Sequence, residues 1–120
     1  MNKEKLHIFF KQFENNFPKL VRDKIPSLII QNEGKAAITN SEKNTDRLIE
    51  LVQKKIVEES MELFSYKVKE EQIYGIADII EVIEKLKNET GITTKEINQY
   101  RKTKNKKYGD FSKSIILISK

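Results

Sequence analysis

Within KIVEESMELF (55–64) stand three carboxylates in E-E-x-x-E spacing: Glu58, Glu59 and Glu62. A fourth, Asp78, follows in IADIIEVIEKL (76–86), with Glu81 close behind it. Helical residues advance about 100° each, so Leu48, Val52, Ile56 and Leu63 all fall within about 60° of Glu59. Glu59 therefore occupies the middle of an apolar stripe, Glu62 lies in the same arc and Glu58 at its edge. A lone carboxylate there costs several kcal/mol unless it is paired or bound to a cation. If the two stretches pack antiparallel, Glu59, Glu62 and Asp78 converge, and their repulsion would force some to stay protonated. A hard divalent cation such as Mg²⁺ or Mn²⁺ removes the conflict, because oxygen donors suit it. A side-chain cation such as Lys55 could also neutralise part of the group.

The elements that must position these residues read as helices. Apolar residues at helical spacing predict helices over about 43–67 and 70–89, joined by a short charged link. Leu6, Phe9, Phe10, Phe13 and Phe17 predict an N-terminal helix over about 4–17 that Pro18 stops. Pro26 and Gly34 bracket a short helix over about 26–32. Thr93 and Glu96 have capping-box spacing and open a last helix, about 94–107, that Gly109 ends. The fold class is all-α, with room for a minor two-stranded β-ribbon formed by 36–39 and 114–119.

Composition removes many chemistries. There is no Cys and a single His, which excludes disulfides, thiolate zinc sites, cysteine nucleophiles and a His-rich metal site within one chain. No run approaches the ~20 apolar residues of a membrane span, and the N-terminus lacks the pattern of a signal peptide, so a cytoplasmic protein with no membrane partner is expected. The net charge of +5 is uneven: RKTKNKK (101–107) carries five cations and no acid. It could meet nucleic acid or a phosphorylated small molecule, or simply be a solvated helix end. No nucleic-acid motif accompanies it, and nucleic acid is not the expected partner.

KLVRDKIPSLI (19–29), KIVEESMELF, IADIIEVIEKL and YRKTKNKKYGDFSKSIIL (100–117) together, in this order, resemble the phosphoribosyl-ATP pyrophosphohydrolase-like branch of the all-α, MazG-type nucleotide pyrophosphohydrolases. The resemblance covers about residues 19–118, which implies a MazG-like domain over 19–120 with residues 1–18 as an N-terminal helical extension. It implies a MazG-like helical bundle that forms homodimers or higher homo-oligomers. It also implies Mg²⁺-dependent (or Mn²⁺-dependent) hydrolysis of a nucleoside triphosphate, or a phosphoribosyl-ATP-like substrate, between the α- and β-phosphates. The metal motif is E-E-x-x-E followed by E-x-x-D. Glu59, Glu62 and Asp78 would hold the metal, while Glu58 and Glu59 would serve catalysis, Glu58 as a further ligand or by orienting water. Glu81 is an auxiliary acid. Arg22 and Lys24 would either steady phosphates or pair with the acids, and Lys104 and Lys107 are weaker candidates for phosphates. The motif's second Glu position holds Gly75. Either a ligand is lost, which gives a catalytically impaired nucleotide-binding or protein-interaction module as the alternative, or the glycine serves close packing.

Overall fold

The computed structural model describes residues 17–120, and these contain four helices and no strand. They are α1 (Ile25–Glu33), α2 (Thr45–Ser65), α3 (Lys69–Thr90) and α4 (Thr94–Tyr108). The all-α class and the helix order expected from periodicity both hold. The predicted N-terminal helix lies outside the described residues. The chain divides into two compact units, the first ending at Thr90 and the second comprising Gly91–Lys120.

Local chemistry sets the helix ends. Pro26 stands in the first turn of α1, and Gly34 ends that helix in the left-handed region (φ 66°), donating its N–H to the Ile30 carbonyl. Asn44 caps α2, its side chain accepting from the Arg47 N–H at 2.9 Å. This satisfies one of the donors that the first turn leaves free. The capping box of α4 is formed in both directions: Thr93 Oγ1 accepts from the Glu96 N–H, and Glu96 Oε1 accepts from the Thr93 N–H.

Residues 36–39 and 114–119 are not strands. A strand propensity expresses fit to a half-buried pleated surface, and neither segment has one. Ile38 is 99% exposed, and Ile115, Ile116, Leu117 and Ile118 are 74–87% exposed.

Among the described residues, α2 and α3 are the one helix pair in contact. They are joined through Tyr66, Lys67 and Val68. Leu51, Val52 and Met61 of α2 and Val82 of α3 form the buried apolar core. Gly75 governs how closely the helices approach. A Cβ at this position would stand 2.9 Å from Leu63 Cδ1, 3.2 Å from Leu63 Cβ and 3.1 Å from Tyr66 Cδ2. The absence of a side chain thus lets α3 lie directly against Leu63 and the Tyr66 ring, one turn from Asp78 on its own helix.

Candidate metal centre

The hairpin brings Glu59, Glu62 and Asp78 together: each offers a carboxylate oxygen, and the three oxygens lie within 4.8 Å of one another. Glu59 and Glu62 share a face of α2 because three residues make slightly less than one turn. Asp78 arrives from α3, and the Gly75 contact with Leu63 sets the helix separation that makes the meeting close.

Two cations touch this group, and a third reaches the neighbouring Glu58. Arg22 donates to Asp78 Oδ1 at 2.9 Å, linking the segment before α1 to α3. Lys55 reaches both of its downstream neighbours, Glu58 Oε2 at 3.1 Å and Glu59 Oε1 at 3.5 Å. Lys19 holds the other oxygen of Glu58, Oε1, at 3.3 Å. Both oxygens of Glu58 are thus engaged by lysines, and the residue stands beside the three-carboxylate group rather than in it.

Glu59 is different. It is only 8% exposed, and its second oxygen, Oε2, is buried with no hydrogen-bond partner. A buried carboxylate oxygen without a donor is costly, and native structures seldom keep one without a bound group to satisfy it. Glu62 reports the same electrostatic stress. As a residue it is exposed, yet its carboxyl is partly withdrawn from water and faces the others. Burial first, then the charge of Glu59 and hydrogen bonding with it, then the charge of Glu58, push its pKa up to about 7, against a smaller opposing pull from Lys55. With a pKa of about 7, Glu62 is about half protonated at neutral pH, and a cation could displace that proton. Tyr66, beside the cluster, also has its hydroxyl pKa raised, by burial and then by the charges of Glu62, Asp78, Glu59 and Glu71.

The remaining candidates lie apart. Glu81 is exposed and outside the cluster. Lys24 is exposed, and its carbonyl accepts from the Leu28 N–H at the start of α1. Lys104 and Lys107 belong to the second unit, where each ammonium lies over a tyrosine of α4, Tyr100 at 5.9 Å and Tyr108 at 5.1 Å. Of the two roles open to Arg22, the structure forms the pairing with an acid. Sequence reasoning missed Lys19, which sits 39 positions from its partner and leaves no periodic trace. Lys55 was open from the sequence as a counter-charge to the acids, and K-x-x-E-E places Glu58 and Glu59 at the two spacings where helical side chains meet.

No family model matches this chain, and no curated protein or solved structure matches it. The described helices include none long and apolar enough to cross a membrane. Glu59, Glu62 and Asp78 could hold a metal ion, on geometry and donor chemistry alone.

Proposed function

We propose that the protein is a divalent-metal-dependent nucleotide pyrophosphohydrolase, cleaving a nucleoside triphosphate between its α- and β-phosphates. The observation that carries this reading is that Glu59, one of three converging carboxylates, keeps a buried Oε2 with no hydrogen-bond partner. The ordered motif resemblance described above supplies the reaction class. Mg²⁺ is the proposed ion, with Mn²⁺ as a substitute: both are hard cations, and Mg²⁺ combines few carboxylates with water and phosphate oxygens. When bound, such an ion neutralises charge on the phosphates and favours ionisation of a water.

The chain's own residues have distinct tasks in this reading. Glu59, Glu62 and Asp78 hold the ion, and Glu62 must first give up its proton. Arg22, 60% exposed at its side chain, can leave Asp78 for a phosphate, since an exposed ion pair contributes little to stability. Its guanidinium suits a bidentate phosphate contact.

A homo-oligomer is part of the same proposal. Ile73, Ile76, Ile80 and Ile83 lie roughly 90–170° round α3 from the face that carries Gly75 and Val82, and all four are more than a third exposed. A helix with a second apolar stripe is expected to bury that stripe too. Light scattering on the full chain should give a mass above that of the 14.1 kDa protomer.

The second reading, a binding module without turnover, is favoured by one observation. At Gly75, where the motif would have a fourth carboxylate, a side chain would collide with Leu63 and Tyr66. A panel of nucleoside triphosphates with Mg²⁺ or Mn²⁺, scored for pyrophosphate and monophosphate, separates the two. Release of both products with at least one nucleotide supports the enzyme. Nucleotide binding without release supports the module.

A further inference from the structure

We infer that Lys55 is the positioning residue of the carboxylate site: it is the middle link of an ion chain, Lys19–Glu58–Lys55–Glu59, that clamps one oxygen of Glu59 and leaves the other directed to a divalent cation. The inference rests on the metal-dependent reading above and concerns residues that would not themselves touch the metal.

The chain is alternately charged: its two links to Glu58 are hydrogen-bonded ion pairs, and its link to Glu59 is a longer ion pair. Lys19 Nζ meets Glu58 Oε1 at 3.3 Å, Lys55 Nζ meets Glu58 Oε2 at 3.1 Å, and Lys55 Nζ meets Glu59 Oε1 at 3.5 Å. The next oxygen, Glu59 Oε2, has no partner. The middle links are well covered: the Lys55 side chain is 15% exposed and that of Glu58 12%. Lysines are rarely so covered unless paired, and here one ammonium serves two consecutive glutamates. Consecutive helical residues point about 100° apart, so a cation that reaches both fixes the rotation of each.

This arrangement gives Glu58 a role different from that of a ligand. With both oxygens taken by lysines, it anchors Lys55, and Lys55 in turn orients Glu59. A carboxylate free to rotate would present either oxygen; one held at Oε1 presents Oε2.

Field and geometry predict opposite signs for loss of Lys55. A positive charge beside a cation site repels the cation, so removing it should tighten binding if Lys55 were only a counter-charge. If it holds Glu59 in place, removing it should weaken binding, and loss of groups that orient metal ligands typically costs about 10–100-fold. The probe is Mn²⁺ alone, titrated into the full chain and followed by electron paramagnetic resonance, with circular dichroism confirming helix content.

Lys55→Met is expected to weaken Mn²⁺ binding at least about tenfold, and Lys55→Arg, which keeps charge and donors, to recover most of that loss. Equal or tighter binding in a folded Lys55→Met overturns the inference. Should Lys55→Met not fold, Lys19→Met tests the same chain from its partly exposed far end: a weakened affinity supports it, an unchanged or increased one overturns it. Wild-type protein that binds no Mn²⁺ overturns the metal reading itself. Wild-type binding with unaffected variants overturns only the role of Lys55.

Discussion

The α2–α3 hairpin and the unit Gly91–Lys120 are both rich in charge, but they place it in opposite surroundings. The second unit carries eight Lys and Arg against two acids, so it supplies more than the whole +5 of the chain. None of the residues of α4 is buried, and its cations stand in water or over the rings of their own helix. Over residues 45–90 of the hairpin eleven acids outnumber seven Lys and Arg, and a few of these charges, Lys55, Glu58 and Glu59 among them, are withdrawn against the apolar core. There one carboxyl titrates near neutrality and one oxygen lacks a partner. Charge density alone therefore says little about chemistry. Withdrawal from water makes a carboxylate selective for a proton, a lysine or a metal.

The comparison breaks most sharply at Glu59. Replacing it with Gln removes the charge at the orphaned oxygen and should lower Mg²⁺-dependent pyrophosphate release at least about 100-fold, since groups that merely orient a metal ligand already cost about 10–100-fold. Neutralising Lys104 and Lys107 together should have a much smaller effect. Steady-state rates for the two variants, side by side, decide whether function resides in the hairpin. A larger loss from the lysine pair would reverse the comparison.

Gly75 sharpens it next. Alanine gains about 1 kcal/mol of helix propensity over glycine, but overpacking typically costs about 1–3 kcal/mol. Because Leu63 Cβ at 3.2 Å and Tyr66 Cδ2 at 3.1 Å cannot both rotate away, Gly75→Ala should lower the thermal midpoint, and adding Leu63→Ala should offset part of the loss. Gly75→Glu should be worse than Gly75→Ala and should not tighten Mn²⁺ binding. A stable Gly75→Glu protein with higher metal affinity would mean that the position is a lost ligand after all.

These tests also mark what the sequence could disclose. Periodicity found α2 and α3 and, given antiparallel packing, the convergence of Glu59, Glu62 and Asp78, while Pro26, Gly34 and Gly109 marked the ends of α1 and α4. It found the capping box, which is a local exchange of hydrogen bonds. It left both roles of Gly75 open, since a glycine is legible as an absence while Leu63 and Tyr66 are legible only across the interface. The Lys19–Glu58 pair was illegible for the same reason, while pairing of Arg22 with an acid stood open as one of two roles and only its choice of Asp78 needed the fold. The ribbon failed because apolar β-branched residues at 36–39 and 114–119 signal strands only where a surface exists to receive them.

A smaller effect concerns pH. Glu62 has a folded-state pKa of about 7 against an ordinary 4.5. A carboxyl whose proton affinity rises on folding adds stability that is complete below about pH 4.5 and is lost as pH rises through about 7. Metal-free protein should therefore lose thermal stability over that window relative to Glu62→Gln, which cannot titrate there. Saturating Mn²⁺ should oppose the loss, because the ion binds the deprotonated group, and its affinity should climb over the same pH range. Parallel pH–midpoint curves for the two metal-free proteins would show that Glu62 keeps an ordinary proton affinity.

The smallest expected effect belongs to the other unit. Thr93→Ala removes the oxygen that accepts from the Glu96 N–H at 3.1 Å, and loss of such a cap costs about 1 kcal/mol. The Glu96 carboxylate also loses the Thr93 hydroxyl, which lies 3.0 Å from Oε1. Because α4 buries no residue, little packing opposes the fraying of its first turn. Far-UV circular dichroism should show a small loss of helix at low temperature, and hydrogen exchange should place it in the first turn of α4. Exchange of the buried segment around Val52, and Mn²⁺ affinity, should stay at wild-type values. If Thr93→Ala instead weakened metal binding or accelerated exchange across α2, the two units would be energetically coupled, and the solvated charges of the second would have to enter any account of the first.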